Sequence, residues 1–116
     1  MWALGNIAGD SPNFRDLILA HKGLKPLIAI LSTTEDPQMI KNGTWAISNL
    51  CRGRPLPEIK FVEEAIPILC QVLKRETDPD VLTDAAWAVS YLSRGPPKIQ
   101  AIIDTQVIPS LVKHLE

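Results

Sequence analysis

Apolar residues recur three and four places apart along most of this chain, the spacing of one face of an α-helix. Prolines and glycines cut that pattern into pieces of helical length. Residues 2–9 form the first piece, ended by Gly9-Asp10-Ser11-Pro12. Asn13 to His21 reads as a short helix with Phe14, Leu17 and Ile18 inward, and Gly23 breaks it. Leu24 to Leu31 follows, with Pro26 in its first turn, where a missing N–H is tolerated. After the polar loop Ser32 to Asp36, Pro37 starts a long helix through Arg52, with Asp36 placed to cap it. Gly53-Arg54-Pro55-Leu56-Pro57 ends that helix. The cycle then returns: Glu58 to Glu64, Ala65 to Arg75, and Asp78-Pro79 to Ser93, closing at Gly95-Pro96-Pro97. Lys98 to Asp104 and Val107 to Leu115 begin it once more.

Three of the helices share a motif. Trp2-Ala3-Leu4-Gly5-Asn6, Trp45-Ala46-Ile47-Ser48-Asn49 and Trp87-Ala88-Val89-Ser90-Tyr91 place the tryptophans 43 and 42 residues apart. Positions i and i+4 lie on one helical face, so each copy shows an indole beside an amide or a phenol. The stripes Leu4/Ile7, Ile47/Leu50 and Val89/Leu92 are left to face a core. A helical period of about 40–47 residues is the signature of an armadillo- or HEAT-type solenoid. The expected division is 1–10 as the last helix of one repeat, 11–53 and 54–95 as full repeats, and 96–116 as the first two helices of another. Only Met1 precedes Trp2, so both ends read as truncations inside repeats. Solenoid repeats bury their faces against neighbours. Leu4, Ile7, Ile108, Leu111 and Leu115 are therefore expected to be partly exposed, which favours a homo-oligomer through the uncapped ends.

Composition narrows the function. The 116 residues are 46% hydrophobic, enough for a packed core, and carry 12 basic and 13 acidic side chains. A net charge of −1 is no footprint for nucleic acid. No run of 18 apolar residues suggests a membrane span, and the N-terminus lacks a signal-peptide pattern. Aromatics make up 5%, and half of them are the tryptophans. Cys51 and Cys70 have no metal-type spacing and read as reduced, buried thiols. His21 and His114 read as surface or capping groups. Without a catalytic set, phosphate loop or metal cluster, no enzyme, metal or cofactor is expected.

The stretches Trp2-Ala3-Leu4-Gly5-Asn6-Ile7-Ala8-Gly9-Asp10, Trp45-Ala46-Ile47-Ser48-Asn49-Leu50-Cys51-Arg52 and Trp87-Ala88-Val89-Ser90-Tyr91-Leu92 closely resemble the central armadillo repeats of importin-α, across essentially the whole chain. The resemblance implies an all-α, right-handed superhelical armadillo-repeat solenoid with three helices per repeat of about 42 residues. It implies a cargo adaptor of nuclear import, in cytoplasm and nucleus, that binds Lys/Arg-rich nuclear localisation signals. The peptide-binding residues it carries over are Trp2, Asn6, Asp10, Asn42, Trp45, Asn49, Arg52, Asp84, Trp87 and Tyr91. The family's importin-β-binding arm has no counterpart here, so importin-β binding is not expected of this piece. One departure stands out: Ser93-Arg94-Gly95 places a cation where the family usually has an acid, which should repel basic side chains.

The residue types themselves suit a basic peptide. Asn42, Trp45, Asn49 and Arg52 share one helical strip, as do Asp84, Trp87, Tyr91 and Arg94. An asparagine offers a donor and an acceptor, enough to hold a peptide N–H and C=O. Slots between neighbouring tryptophans would take the aliphatic stems of Lys or Arg, whose cations favour the ring faces. Asp10 and Asp84 would select the charged heads. Plainer roles remain open: Asn49 as a helix-to-helix hydrogen bond, Asp10 as a turn-closing group, Arg52 in ion pairs and Tyr91 in packing. So does a generic armadillo scaffold that binds another extended peptide or only itself.

Overall fold

The structure, a computed structural model, describes residues 1–94 and 96–115, without the side chains of Pro96 and Pro97. Among these residues the regular structure is entirely helical. Three helices carry the tryptophan motif: α1 (Trp2–Asp10), α4 (Pro37–Cys51) and α7 (Pro79–Leu92). Between them lie α2 (Pro12–Ala20) and α3 (Leu24–Thr33), then α5 (Ile59–Val62) and α6 (Ile66–Arg75). After α7 come α8 (Pro96–Asp104) and α9 (Ile108–Lys113). A 3-10 turn at Glu63–Ala65 joins α5 to α6.

Caps and prolines set the boundaries where the sequence puts them. The side chains of Asp36 and Asp78 each accept a backbone N–H, from Gln38 at 3.0 Å and Asp80 at 2.9 Å. Pro37 and Pro79 follow each cap, where their lack of an N–H costs nothing. Ser11 accepts from Phe14 N–H and so starts α2 one residue after α1 ends. At the end of α6, His114 bonds the Leu73 carbonyl at 2.9 Å, one of the acceptors a helix leaves unpaired. Of the turn expected at Gly95-Pro96-Pro97, Gly95 lies outside the described residues, and the two prolines belong to α8, which begins at Pro96 and not at the expected Lys98, as proline is tolerated in the first turn of a helix.

The motif helices form one layer, α4 resting on both α1 and α7, and α3, α6 and α9 form a second layer behind them. The core lies between the layers, with Leu31, Ile47, Leu50, Leu69 and Leu92 fully buried. Helices α4 and α7 bury their aliphatic stripes, Ile47/Leu50 and Val89/Leu92, against their neighbours, so their indole strip faces away from the core. At the two ends of the stack this covering stops. Ile7, Ile108 and Leu115 stand 46%, 44% and 87% exposed.

Helix α2 departs from the expected register. Phe14 and Leu17 point outward, 47% and 56% exposed, while Arg15, Ile18 and Leu19 face in. The side chain that decides this is Arg15, 1% exposed. Its Nη1 donates to the Arg52 carbonyl at 2.9 Å and the Pro55 carbonyl at 2.8 Å, and its Nε to Asp16 at 2.9 Å. A buried guanidinium is tolerable only when its donors are satisfied, and here two of its partners are carbonyls of the loop after α4. Gly53 belongs to the same arrangement: its φ of +107° is open to glycine, and a Cβ there would press on Arg15.

Both thiols are buried. Burial pushes Cys51 up to about 12, against a smaller opposing pull from Arg94. Burial also raises Cys70, opposed by Thr105 and Lys74. A thiolate is the reactive species, so neither cysteine should react with a thiol reagent at mildly alkaline pH until the chain is unfolded. Two rapid equivalents after guanidinium, and none before, is the expected titration. Rapid labelling of the native chain would contradict the buried placement.

Candidate peptide-binding groove

The groove is built on the strip of α4 and α7 that faces away from the core. Trp87 is 58% exposed and Trp2 59%, while Trp45 is half-buried. Trp45 lies down over α1 because residue 5 is glycine. A Cβ at Gly5 would enter the Trp45 ring, closer than real carbon atoms approach. This posture brings Trp2 onto Trp45, with ring centroids 5.0 Å apart and planes 29° apart. The expected slot between those two indoles is therefore closed. A methylene stem needs about 3.5–4 Å of clearance to each ring, or about 7 Å in all.

The next slot is open. Trp45, Ser48, Asn49, Arg52, Asp84, Trp87 and Tyr91 line a recess of about 330 Å³ between α4 and α7. Trp87 and Tyr91 stack at 6.0 Å and form its far wall. A second recess opens toward the helix N-termini. Trp2, Asn42 and Trp45 line one side of it, Asp80, Thr83 and Asp84 the other, with Lys41 at its margin. Asp84 belongs to both recesses. Burial raises its carboxyl above its ordinary value, the Asp80 charge adds to the rise, and Arg52 and Lys41 oppose it. A partly desolvated carboxylate beside a like charge is a site that gains from a cation. Lys41 already supplies one to Asp80, at 3.3 Å.

The asparagines differ from one another. Asn49 is 4% exposed, and its amide donates to the Gly5 carbonyl at 3.0 Å. It joins α4 to α1, which leaves only part of its hydrogen-bonding capacity to the groove. Asn42 uses its carbonyl oxygen to accept from Gln38 at 3.1 Å and keeps its NH₂ donors. Asn6 is exposed, and so is Asp10 at the end of α1. Arg52 is exposed, with no ion pair within 4 Å among the described residues. Arg94 does not point freely into the groove, since its Nη2 donates to the Pro57 carbonyl at 2.8 Å.

Lys41, Asp80 and Thr83 were not among the residues expected at the site. Asp80 had a signal: it lies one turn before Asp84, on the strip that continues to Trp87 and Tyr91. Lys41 and Thr83 had none, because only the packing of α4 on α7 brings them to the same recess.

The sequence profile of the Armadillo/beta-catenin-like repeat matches residues 11–52 and 61–94. The chain belongs to the armadillo repeat family. Among curated armadillo proteins it is similar to importin subunit alpha-1b of Oryza sativa subsp. japonica, 51% identical over 115 residues. That match covers 99% of this chain and 22% of the relative. It is also similar to importin subunit alpha-2 of Arabidopsis thaliana, 48% identical over 116 residues, covering 100% of this chain and 22% of the relative. The chain thus spans about a fifth of the length of these relatives. Among solved structures, a designed armadillo repeat protein in complex with the peptide (KR)4 superposes with a TM-score of 0.80 at 26% identity. The superposition covers 96% of this chain and 46% of that one. The resemblance to importin-α repeats, and the all-α armadillo solenoid it implied, stand on these matches.

Proposed function

We propose that this chain binds Lys/Arg-rich peptides in an extended conformation along the α1–α4–α7 face, as the cargo-holding part of a nuclear import adaptor that works in cytoplasm and nucleus. The observation that carries the reading is the open slot between Trp45 and Trp87, with Asp84 at its wall. Two aromatic faces take the apolar stem of a lysine or arginine, and the carboxylate takes its charged head. Parallel helices of neighbouring repeats sit roughly 10 Å apart. An extended peptide advances about 3.3 Å per residue, so each repeat meets about every third side chain. Asn42 and Asn6 are the amides free to hold the peptide backbone, with Asn49 contributing its remaining capacity. The named relatives are importin alpha subunits, and the designed neighbour holds alternating lysine and arginine, which supports a basic ligand over an acidic one.

The test is a fluorescence anisotropy titration with a Lys/Arg-rich peptide and a Glu-rich peptide of equal length, each at low and high salt. Saturable binding of the basic peptide alone, weaker in salt, is the expected result. Equal binding of both, or preference for the acidic one, overturns the reading.

Asp84 gives the binding a pH dependence whose sign follows from its raised pKa. In the free chain the folded state holds its proton to higher pH than the unfolded state, so ionising Asp84 costs stability as the pH climbs through that window. A bound cation favours the ionised form and draws the pKa back down. Affinity should therefore fall as the pH drops through the upper carboxylate range, and Asp84→Asn should flatten that fall. An unchanged profile in Asp84→Asn would place the cation elsewhere.

A further inference from the structure

The helix pairs α2–α3 and α8–α9 share one register. Each first helix is followed by a residue in the left-handed region, Lys22 at φ +60° and Gln106 at φ +62°. Counted from those residues, Leu19, Leu24 and Leu31 correspond to Ile103, Ile108 and Leu115. The first three are buried and the second three are exposed. Helix α4 lies over α2 and α3, and no described helix takes that place over α8 and α9.

The opposite end of the stack is the complement. Trp2 and Trp45 put α1 in register with α4, so Leu4 and Ile7 correspond to Ile47 and Leu50. Ile47 and Leu50 are fully buried, whereas Leu4 is half-buried and Ile7 exposed. Helix α1 is thus a tryptophan helix without a pair of shorter helices beneath it, and α8–α9 is such a pair without its tryptophan helix. Single exposed apolar side chains are ordinary on a protein surface. These are not single: helix by helix, they hold the positions that α2, α3 and α4 bury.

We propose that copies of this chain associate head to tail, α1 of one copy lying over α8 and α9 of the next in the place that α4 takes over α2 and α3. Leu4 and Ile7 of one copy then cover Ile103 and Ile108 of the other, as repeats in a solenoid cover their neighbours. Such a contact joins two different faces, so every pair leaves one face of each kind free and further copies can add. It also carries Trp2 of one copy beyond Trp87 of the other, which continues the indole face across the joint. The contact has a limit. Helix α1 has nine residues against fifteen in α4. Helices α3 and α4 run antiparallel across a short loop, and a Cβ at Gly43, in the first half of α4, would press on Leu31. That half has no counterpart in α1. Leu115, the counterpart of Leu31, therefore stays outside the contact, beside an apolar recess of about 670 Å³ that it lines with Leu82 and Leu111.

Sedimentation equilibrium of the untagged chain over a range of concentrations tests this. The average mass should climb beyond about twofold the monomer mass, because a head-to-tail pair is not closed. Ile7→Asp and Ile108→Asp, both at exposed positions, should each lose association and stay at the monomer mass, with the circular dichroism of the wild type. Mixed in equal amounts, the two variants should form a pair and nothing larger, since each supplies the face that the other lacks. Leu115→Asp should associate like the wild type, although it removes the most exposed large apolar side chain among the described residues. A wild-type mass that does not change with concentration overturns the proposal without recourse to any variant. An Ile7→Asp chain that still dimerises overturns it in favour of two like faces meeting. A Leu115→Asp chain that stays monomeric overturns it in favour of unspecific apolar contact.

Discussion

Trp87→Ala is expected to weaken binding of a Lys-rich peptide by roughly ten- to a hundredfold while leaving the melting temperature nearly unchanged. Trp87 is exposed in the free chain and stacks on Tyr91 of its own helix, so folding loses little when it goes. The bound state loses more. One indole face is worth about 0.5–2 kcal/mol to a cation, and each methylene it shields about 0.8 kcal/mol. Trp45→Ala should cost at least as much affinity, but it also removes the ring that lies on Gly5 and stacks on Trp2, so its melting temperature should fall. Anisotropy titrations paired with thermal melts separate the two effects. A Trp87→Ala chain that binds like the wild type would contradict the slot.

Arg15→Met is expected to cost about 3 kcal/mol of stability, the loss of two hydrogen bonds from a charged donor at about 1.5–3 kcal/mol each, less what an apolar side chain of similar size recovers. For a chain of this length that lowers the melting temperature by roughly 10 °C. Asp16 is half-exposed and is not stranded by the change, whereas the carbonyls of Arg52 and Pro55 are. The effect should reach the groove, because the released loop carries Arg52 and Arg54. A melting temperature within about 2 °C of the wild type would show that those carbonyls find water instead.

The helices were legible because proline and glycine mark their ends locally. Pro37 after Asp36 and Pro79 after Asp78 fix two N-termini from adjacent residues alone, and the tryptophan period fixes the repeat. What escaped depends on contacts across about forty residues. Phe14 and Leu17 look like the inward face of α2 until Arg15 is seen to reach Arg52 and Pro55. Equal spacing of the tryptophans suggested equal slots, yet Gly5 lets Trp45 sink toward α1 and Trp2 close over it. Asn49 holds the same motif position as Asn6, and the helix-to-helix role left open for it is decided only by the packing that brings its amide to the Gly5 carbonyl. Arg94 reads as a misplaced cation in sequence, and the Pro57 carbonyl gives it an anchor.

The central claim is that indoles on one open face hold the stems of basic side chains. The chain has three tryptophans, hence three indole N–H signals. Following them by proton–nitrogen NMR while a Lys-rich peptide is added tests the claim most directly. The Trp45 and Trp87 signals should shift together and saturate at the dissociation constant found by anisotropy. Saturable binding that leaves all three indole signals unmoved would contradict it.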